Sequence, residues 1–219
     1  MIGRPGRGSS RPDGQKVGGY WTTLINKATS PQRNHYAGTV KIYTRGGDDG
    51  TTGLYFGGRT EKTSDPIEVN GAVDEAQAML GMARALTEPG SRLNELLITL
   101  ERHLWVLMAE VATLPENRHK LTADKTLVTI EMIEMLESHI DALSDEIEMP
   151  TEFVVPGENQ LSAALDVART VIRRAERIAV GYPIENSLVV PYLNRQSDLA
   201  WTMARWAEGP NHRTARVHQ

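Results

Sequence analysis

Residues 91–114 read SRLNELLITLERHLWVLMAEVATL, and this stretch decides the fold class. Its apolar side chains recur every three or four positions, at Leu93, Leu96, Leu97, Leu100, Leu104, Leu107 and Val111. That spacing places them on one face of an α-helix, and Ser91 is a favourable N-cap residue for such a helix. We therefore predict a helix over 91–114 whose apolar face is buried against other helices.

Segments with a similar helical pattern precede and follow this helix. Pro66 favours the start of a helix that ends near residue 86, because Glu88-Pro89-Gly90 cannot continue it. Three more helices are predicted, over about 127–147, 159–180 and 191–207. The links between them are short, so the sequence predicts an all-α protein, a five-helix bundle behind one glycine-rich loop.

Composition and charge exclude several classes of protein. With 219 residues, 40% of them hydrophobic and 24% charged, the chain can bury a sizeable core. The net charge of −4 argues against a dedicated DNA-binding domain, and the lack of cysteine excludes disulfides, thiolate zinc sites and cysteine nucleophiles. No apolar run approaches the ~18 residues of a membrane helix. We expect a cytoplasmic protein with no secretory signal and no membrane or nucleic-acid partner.

The chain divides into three parts. Residues 1–38 contain six basic side chains and one acidic one, a charge of +5 that leaves −9 on the remainder. We predict that this part is a disordered basic extension, either a solvated tail or an arm for nucleic acid or acidic lipid. Residues 39–208 form the predicted bundle, and residues 209–219 form a polar C-terminal tail.

The glycine-rich loop is the first candidate for chemistry. Six glycines between positions 46 and 58 exclude a regular helix there. The loop resembles a phosphate-binding P-loop, but the next helix begins only at Pro66, so we reject that assignment. Glycine N–H groups, hydroxyls and cations are nevertheless what a triphosphate requires. The polar groups concerned are Thr44, Thr51, Thr52, Arg45, Arg59 and Lys62; the alternative is a simple polar hairpin.

The fourth helix carries the second candidate, a stripe of arginines. Arg169, Arg173 and Arg177 follow one another at intervals of four, and Asp166 and Glu176 fall on the same side of the helix. Like charges at this spacing repel one another, so we expect an acidic or phosphate partner. The alternative is a solvated face with internal pairs such as Arg173 with Glu176.

Phe153 is the third candidate. It is one of two phenylalanines and lies in the irregular link before the arginine helix, where it forms part of a site or plugs the end of the bundle. Metal-ligand spacings and nucleophile motifs provide no further candidate. The six histidines lack metal-ligand spacing and no serine lies in a nucleophile motif, so we predict no protein-held metal site.

Several separated motifs together resemble a known family. They are Lys41-Ile42-Tyr43-Thr44-Arg45-Gly46-Gly47-Asp48-Asp49-Gly50-Thr51-Thr52, Gly71-Ala72-Val73-Asp74-Glu75, Phe153-Val154-Val155-Pro156-Gly157, Ala168-Arg169, Arg173-Arg174-Ala175-Glu176-Arg177 and Tyr192-Leu193-Asn194-Arg195-Gln196-Ser197-Asp198. In this order, over about residues 40–208, the chain resembles the PduO-type ATP:cob(I)alamin adenosyltransferases.

The resemblance implies a homotrimer that binds ATP between neighbouring subunits. The ATP loop would consist of Thr44, Arg45, Gly46, Gly47, Thr52, Gly53 and Lys62. The adjacent subunit would hold the nucleotide through Arg173, Arg174, Glu176, Arg177 and Asn194. Asp74 would pair with Arg169 across the interface, and Phe153 would lie over the corrin where the lower axial ligand leaves.

The resemblance also implies the reaction. Co(I) of a reduced corrinoid such as cobalamin attacks the 5′-carbon of ATP, giving adenosylcobalamin and triphosphate, with Mg²⁺ on the phosphates. It implies a Co(II) reductase and a B12-dependent acceptor enzyme as partners.

The chain departs from the family pattern at Gly46-Gly47-Asp48, Glu158 and Asp166. The alternatives are an ATP- and corrinoid-binding carrier or sensor on the same fold, and a helical scaffold whose basic tail binds nucleic acid.

Overall fold

The computed structural model describes residue 43 and residues 45–215, and it confirms the five-helix bundle. The helices are α1 (Asp65–Arg84), α2 (Arg92–Val111), α3 (Ile130–Ser144), α4 (Gln160–Val180) and α5 (Val189–Glu208). Two short 3-10 helices, Pro115–Lys120 and Gly209–Asn211, lie in the connections. The predictions made for residues 1–38 and for Thr44 fall outside the described residues.

Local sequence explains where several helices begin. α1 has Pro66 in its first turn, together with the acidic Asp65 and Glu68. At α2 the Ser91 side chain accepts a hydrogen bond from the Asn94 backbone N–H, as an N-cap should. α4 begins with a full capping box, in which Asn159 and Ser162 each accept from the other's backbone N–H.

The core lies between α4 and the helices around it. α4 packs against α1 and α5, while α2 packs mainly on α1 and α3 on α5. The inner face of α4 is rich in alanine, which lets its neighbours approach closely, and leucines of α2 fill the adjacent space. Fully burying each such leucine contributes roughly 1.5–3 kcal/mol. The fully buried leucines of α2 are Leu97, Leu100, Leu104 and Leu107.

The third helix starts later than the predicted residue 127. The Thr122 carbonyl accepts hydrogen bonds from the N–H groups of Thr126 and Leu127, which closes a turn in place of the first helical turn. The Val128 N–H then donates to the buried carboxylate of Glu110 at 2.8 Å. As a result Ile130, predicted to be in the apolar stripe, is 49% exposed.

Four short strands complete the structure. β1 (Thr51–Gly53) and β2 (Arg59–Glu61) form an antiparallel hairpin in the glycine-rich region. β3 (Val154–Val155) pairs with β4 (Arg213–Thr214), so part of the predicted polar tail returns to the link before α4. None of the helices in the described residues is long and apolar enough to cross a membrane.

Candidate functional site

The glycine-rich loop is folded onto the end of the bundle by its hairpin. Leu54, at the turn, is buried, and the Tyr55 N–H donates to the carbonyl of Ala112 at the end of α2 at 2.9 Å. Gly58 has a φ of +95°, and a Cβ there would lie 2.9 Å from the Leu114 side chain. The hairpin therefore needs glycine at this position, both for its backbone and for its contact with the bundle.

Arg59 shapes this loop from within. Its Nε–H donates to the Thr51 hydroxyl at 3.0 Å, and its guanidinium also reaches the carbonyl of Gly46. Thr51 in turn donates to Asp49 through its backbone N–H (2.9 Å) and its hydroxyl (2.8 Å). These two hydrogen bonds, the backbone one first, lower the pKa of Asp49. Arg59, considered as a phosphate ligand from the sequence, is therefore engaged in holding the loop.

The remaining predicted loop residues lie close together on the surface. Lys62 Nζ lies beside Gly47, where an added Cβ would be 3.1 Å from it, and the Lys62 N–H donates to the Gly50 carbonyl. Arg45 adopts a left-handed backbone with φ +58°, and its guanidinium lies 5.7 Å from the Tyr43 ring. Within the described residues Lys62 has no ion-pair partner, so its ammonium group can meet an anion.

The arginine stripe runs along the exposed side of α4. Arg173 and Arg177 are exposed and Arg169 is partly buried, while Leu165, Ile172 and Ala175 on the opposite side are in the core. Arg169 and Arg177 are eight positions apart, about 12 Å along the helix axis. The Arg173 guanidinium has no partner in the described part of the chain, and Arg177 donates to the Arg173 carbonyl at 3.1 Å. The helical-wheel prediction is confirmed for these side chains.

The other residues predicted to bind ATP are held by neighbouring helices. Glu176 accepts a hydrogen bond from the Asn194 side-chain amide of α5 at 2.9 Å, rather than pairing with Arg173. Arg174 pairs with Glu75 of α1. These contacts fix the orientation of α4 against α1 and α5.

Phe153 projects from the protein instead of plugging it. Its side chain is 89% exposed, so the interpretation of Phe153 as a plug for the bundle end is wrong. It lies at the edge of a cavity of 730 Å³, which we call the Phe153 cavity, lined also by Asp166, Arg169, Trp201 and Arg205. The Ala215 N–H donates to the Phe153 carbonyl at 2.7 Å, so the returning C-terminal segment holds this link in place.

Asp166 is buried, although the helical wheel places it on the charged side of α4. It is 4% exposed because Arg205 of α5 covers it and donates to its Oδ2 at 2.6 Å. Arg169 donates to its Oδ1 at 3.1 Å. Asp74, the proposed partner of Arg169, is exposed on α1 and makes no ion pair with Arg169 within the described chain.

The loop and the Phe153 cavity lie at opposite ends of the bundle. A second, apolar cavity of 260 Å³ brings together the starts of α1 and α5 and the ends of α2 and α4, the last two at Val111 and Ala179. The hairpin is attached at this end through Ala112. The Phe153 cavity lies at the other end, by the first half of α4 and the last half of α5. Arg169 borders that cavity, and the stripe leads from it towards the hairpin end.

Sequence reasoning missed Trp201, Arg205 and Glu208. The Arg205 guanidinium lies 5.7 Å from the Trp201 ring, and both residues line the Phe153 cavity. The sequence does contain a sign of a buried ion pair here. An arginine and a glutamate three residues apart occur at the end of α5, among positions with helical apolar spacing. Their burial depends on how α5 packs against α4, which periodicity does not show.

This chain is similar to known proteins over most of its length. A family model described as Cobalamin adenosyltransferase matches residues 42–207. The chain is 39% identical over 171 residues to the corrinoid adenosyltransferase of Citrobacter freundii, covering 77% of this chain and 95% of that protein. It is also 39% identical over 175 residues to the corrinoid adenosyltransferase of Mycobacterium tuberculosis, covering 77% of this chain and 89% of that protein.

A solved structure shares the fold. It is a variant PduO-type ATP:corrinoid adenosyltransferase from Lactobacillus reuteri, complexed with cobalamin and ATP. The two chains align with a TM-score of 0.69 and 28% sequence identity, covering 80% of this chain and 99% of that chain.

Proposed function

This chain belongs to the cobalamin adenosyltransferase family, and from that premise we propose that it transfers the 5′-deoxyadenosyl group of ATP to a reduced corrinoid. Co(I) of the corrinoid substrate is the nucleophile, the bond to cobalt forms at the 5′-carbon of ATP, and triphosphate leaves with the electron pair of the broken C–O bond. The corrinoid supplies the reactive centre. The protein has to bring the two substrates together, exclude water and stabilise the charge on triphosphate.

The observation that carries this proposal is the continuity of the arginine stripe with the Phe153 cavity. Arg169 borders the cavity, and Arg173 follows one helical turn later with a guanidinium that has no partner among the described residues. A corrin in the cavity would place its cobalt near one end of the stripe. The triphosphate of ATP would then extend along Arg173 and Arg177, whose planar guanidinium groups suit phosphate oxygens.

The loop residues belong, in this proposal, to a neighbouring subunit of a homotrimer. Within the described part of one chain, Arg173 and Arg177 of the stripe form no ion pair, and Arg59 of the loop pairs with Asp49 of the same loop. Arg45, Gly46, Gly47, Thr52, Gly53 and Lys62 would close over the phosphates from the neighbour. Asp74 would reach Arg169 in the same way, since it is exposed on α1 beside Glu75, which already pairs with Arg174 of its own chain.

Mg²⁺ would be carried on the ATP phosphates. The described residues contain no group of three or more histidine or carboxylate side chains able to hold a metal. The loop carboxylate of Asp49, whose pKa is lowered first by the backbone N–H of Thr51, is engaged by Thr51 and Arg59. Mg²⁺ would neutralise phosphate charge, which complements the stripe and Lys62.

The test is the reaction itself. The protein is mixed with ATP and chemically reduced cobalamin, and the visible spectrum is followed together with released triphosphate. We expect a light-sensitive Co–C product and one triphosphate per adenosyl group transferred. Binding of both substrates without product would indicate a carrier or sensor, and binding of neither would indicate a helical scaffold. The same proposal includes a cytoplasmic location, a Co(II) reductase and an acceptor enzyme for the product.

A further inference from the structure

Four charged side chains form a continuous chain of ion pairs, and three of them line the Phe153 cavity. They are Asp166 and Arg169 of α4, and Arg205 and Glu208 of α5. Asp166, Arg205 and Glu208 are 4%, 2% and 5% exposed, whereas Arg169 is only partly buried and reaches the cavity. Two positive and two negative groups make the set neutral overall.

Arg205 Nη2 contacts both carboxylates, and Asp166 uses a different oxygen for each arginine. Glu208 holds Arg205 through two contacts, Oε1 with Nη2 at 2.9 Å and Oε2 with Nε at 2.8 Å. Arg205 Nη2 also donates to Asp166 Oδ2 at 2.6 Å. The other carboxylate oxygen of Asp166, Oδ1, accepts from Arg169 Nε at 3.1 Å. Asp166 therefore bridges a fully buried arginine and an arginine that borders the cavity.

This arrangement does more for orientation than for stability. Buried ion pairs often contribute little net stability, since desolvation offsets the attraction between the charges. An isolated i, i+3 pair on a helix surface is also weak and would leave Arg169 mobile. Here Asp166 cannot rotate away, because Arg205 holds its second oxygen. Within the part of the chain that the structure describes, Arg169 is engaged through Nε, which leaves its two Nη groups available for other partners.

We propose that Arg205 and Glu208 are positioning residues of the adenosyl-transfer site. Together they fix Asp166, and Asp166 fixes Arg169 with its Nη groups directed towards the cavity and towards the neighbouring subunit's carboxylate. This inference rests on the proposed function, because it assigns the network to that reaction. Arg205 borders the cavity but is only 2% exposed, and in this proposal Arg205 and Glu208 act through Arg169.

A double-mutant cycle tests whether Arg205 acts through Arg169. Arg205→Lys keeps the charge but loses the forked geometry that binds Asp166 and Glu208 together. We expect kcat to fall about tenfold, the size of one charge-assisted hydrogen bond, with KM for ATP within about twofold. In an Arg169→Ala background the same substitution should change kcat by less than about twofold, because the residue it positions is absent.

A second readout does not depend on turnover. In the wild type with ATP bound, cob(II)alamin should show a four-coordinate spectrum, and Arg205→Lys should increase the five-coordinate fraction because a mobile Arg169 admits water. Arg84→Lys, in the half-buried Arg84–Glu101 pair between α1 and α2, is the matched control. Its effect on kcat should be the same with and without Arg169.

The possible outcomes separate the two proposals. A wild-type protein that forms no Co–C product contradicts the proposed function, and the cob(II)alamin spectrum then still reports on Arg205. If Arg205→Lys lowers kcat equally in both backgrounds and leaves the spectrum unchanged, Arg205 is not a positioning residue. If Arg205→Lys shows no cooperative melting, Glu208→Gln, which keeps the shape of the side chain, replaces it in the same cycle with the same criteria.

Discussion

At the scale of single residues, substituting Arg173 should affect ATP binding without affecting the stability of the fold. It is exposed on α4, so Arg173→Ala should change the free energy of unfolding by less than about 0.5 kcal/mol. Losing a hydrogen bond to a phosphate should cost about 1.5–3 kcal/mol, roughly a ten- to 150-fold fall in kcat/KM for ATP. Arg173→Lys should recover only part of this, because it lacks the planar fork.

The control for Arg173 is Arg102→Ala, which removes another exposed helical arginine, on α2. Melting temperature and kcat/KM for ATP are measured for all three variants. An Arg173→Ala protein that melts early but retains wild-type kinetics would show that Arg173 is structural, contrary to the proposal.

A second prediction at this scale concerns Phe153. Its ring is 89% exposed, so Phe153→Ala should leave the melting temperature almost unchanged. Adenosylation should nevertheless slow strongly with little change in ATP affinity, because the ring would occupy the space of the departing axial ligand and keep water away from cobalt. The spectrum of bound cob(II)alamin checks this. A variant that still gives the four-coordinate spectrum would remove Phe153 from the site.

At the scale of elements, α2 and α5 are joined by a partly buried pair that should respond to pH. His103 Nδ1 lies 3.1 Å from the hydroxyl of Tyr192, which is fully buried. Burial lowers the pKa of His103 below its ordinary 6.5, with Asp124 opposing the shift. The folded protein therefore takes up this proton less readily than the unfolded chain, and stability present above pH 6.5 is lost as the pH falls through the lower folded value.

His103→Gln should accordingly reduce the loss of melting temperature between about pH 7 and pH 5. Part of the loss should remain, because burial and Arg92 also lower the pKa of His139. His119→Gln, in the exposed 3-10 segment, is the comparison variant. An unchanged pH profile in His103→Gln would mean that His103 is protonated in the folded state without cost.

The helices could be predicted from sequence because each carries its own signals. Ser91 and Asn159 cap α2 and α4 as their residue types indicate, and the leucine spacing identifies the buried face of α2. The start of α3 could not be predicted, since it depends on the distant carboxylate of Glu110, which binds the Val128 N–H. The pairing of β3 with β4 likewise joins residues about 60 positions apart through two-residue strands, too short to leave a pattern.

The candidate site could likewise be predicted from the sequence only in part. The exposure of Arg173 and Arg177 follows from helical geometry alone, and the structure agrees. The burial of Asp166 does not follow from it, because Arg205 comes from another helix. The hydrogen bonds of Arg59 within the loop could not be predicted either, because a glycine-rich sequence does not determine which of its cationic side chains face inwards.

At the scale of the whole molecule, the separation of the two ends of the bundle has a consequence for assembly. α4 has 21 residues and is therefore about 31 Å long, with the Phe153 cavity beside its first half and the hairpin attached near its last turn. In the proposed homotrimer, a second copy would complete the site by bringing its loop to the stripe. In a closed trimer each subunit would give its loop to one neighbour and its stripe to the other.

This arrangement predicts complementation between two defective variants. Lys62→Ala damages the loop and Arg173→Ala damages the stripe, so neither protein alone has an intact site. When both are produced together and assemble at random, about a quarter of the sites receive a wild-type loop from one chain and a wild-type stripe from the other. Adenosylation should recover to about that fraction of the wild-type rate. Arg173→Ala mixed with Arg177→Ala should not recover, since every stripe carries a defect. Sites formed within single subunits would give no recovery in either mixture.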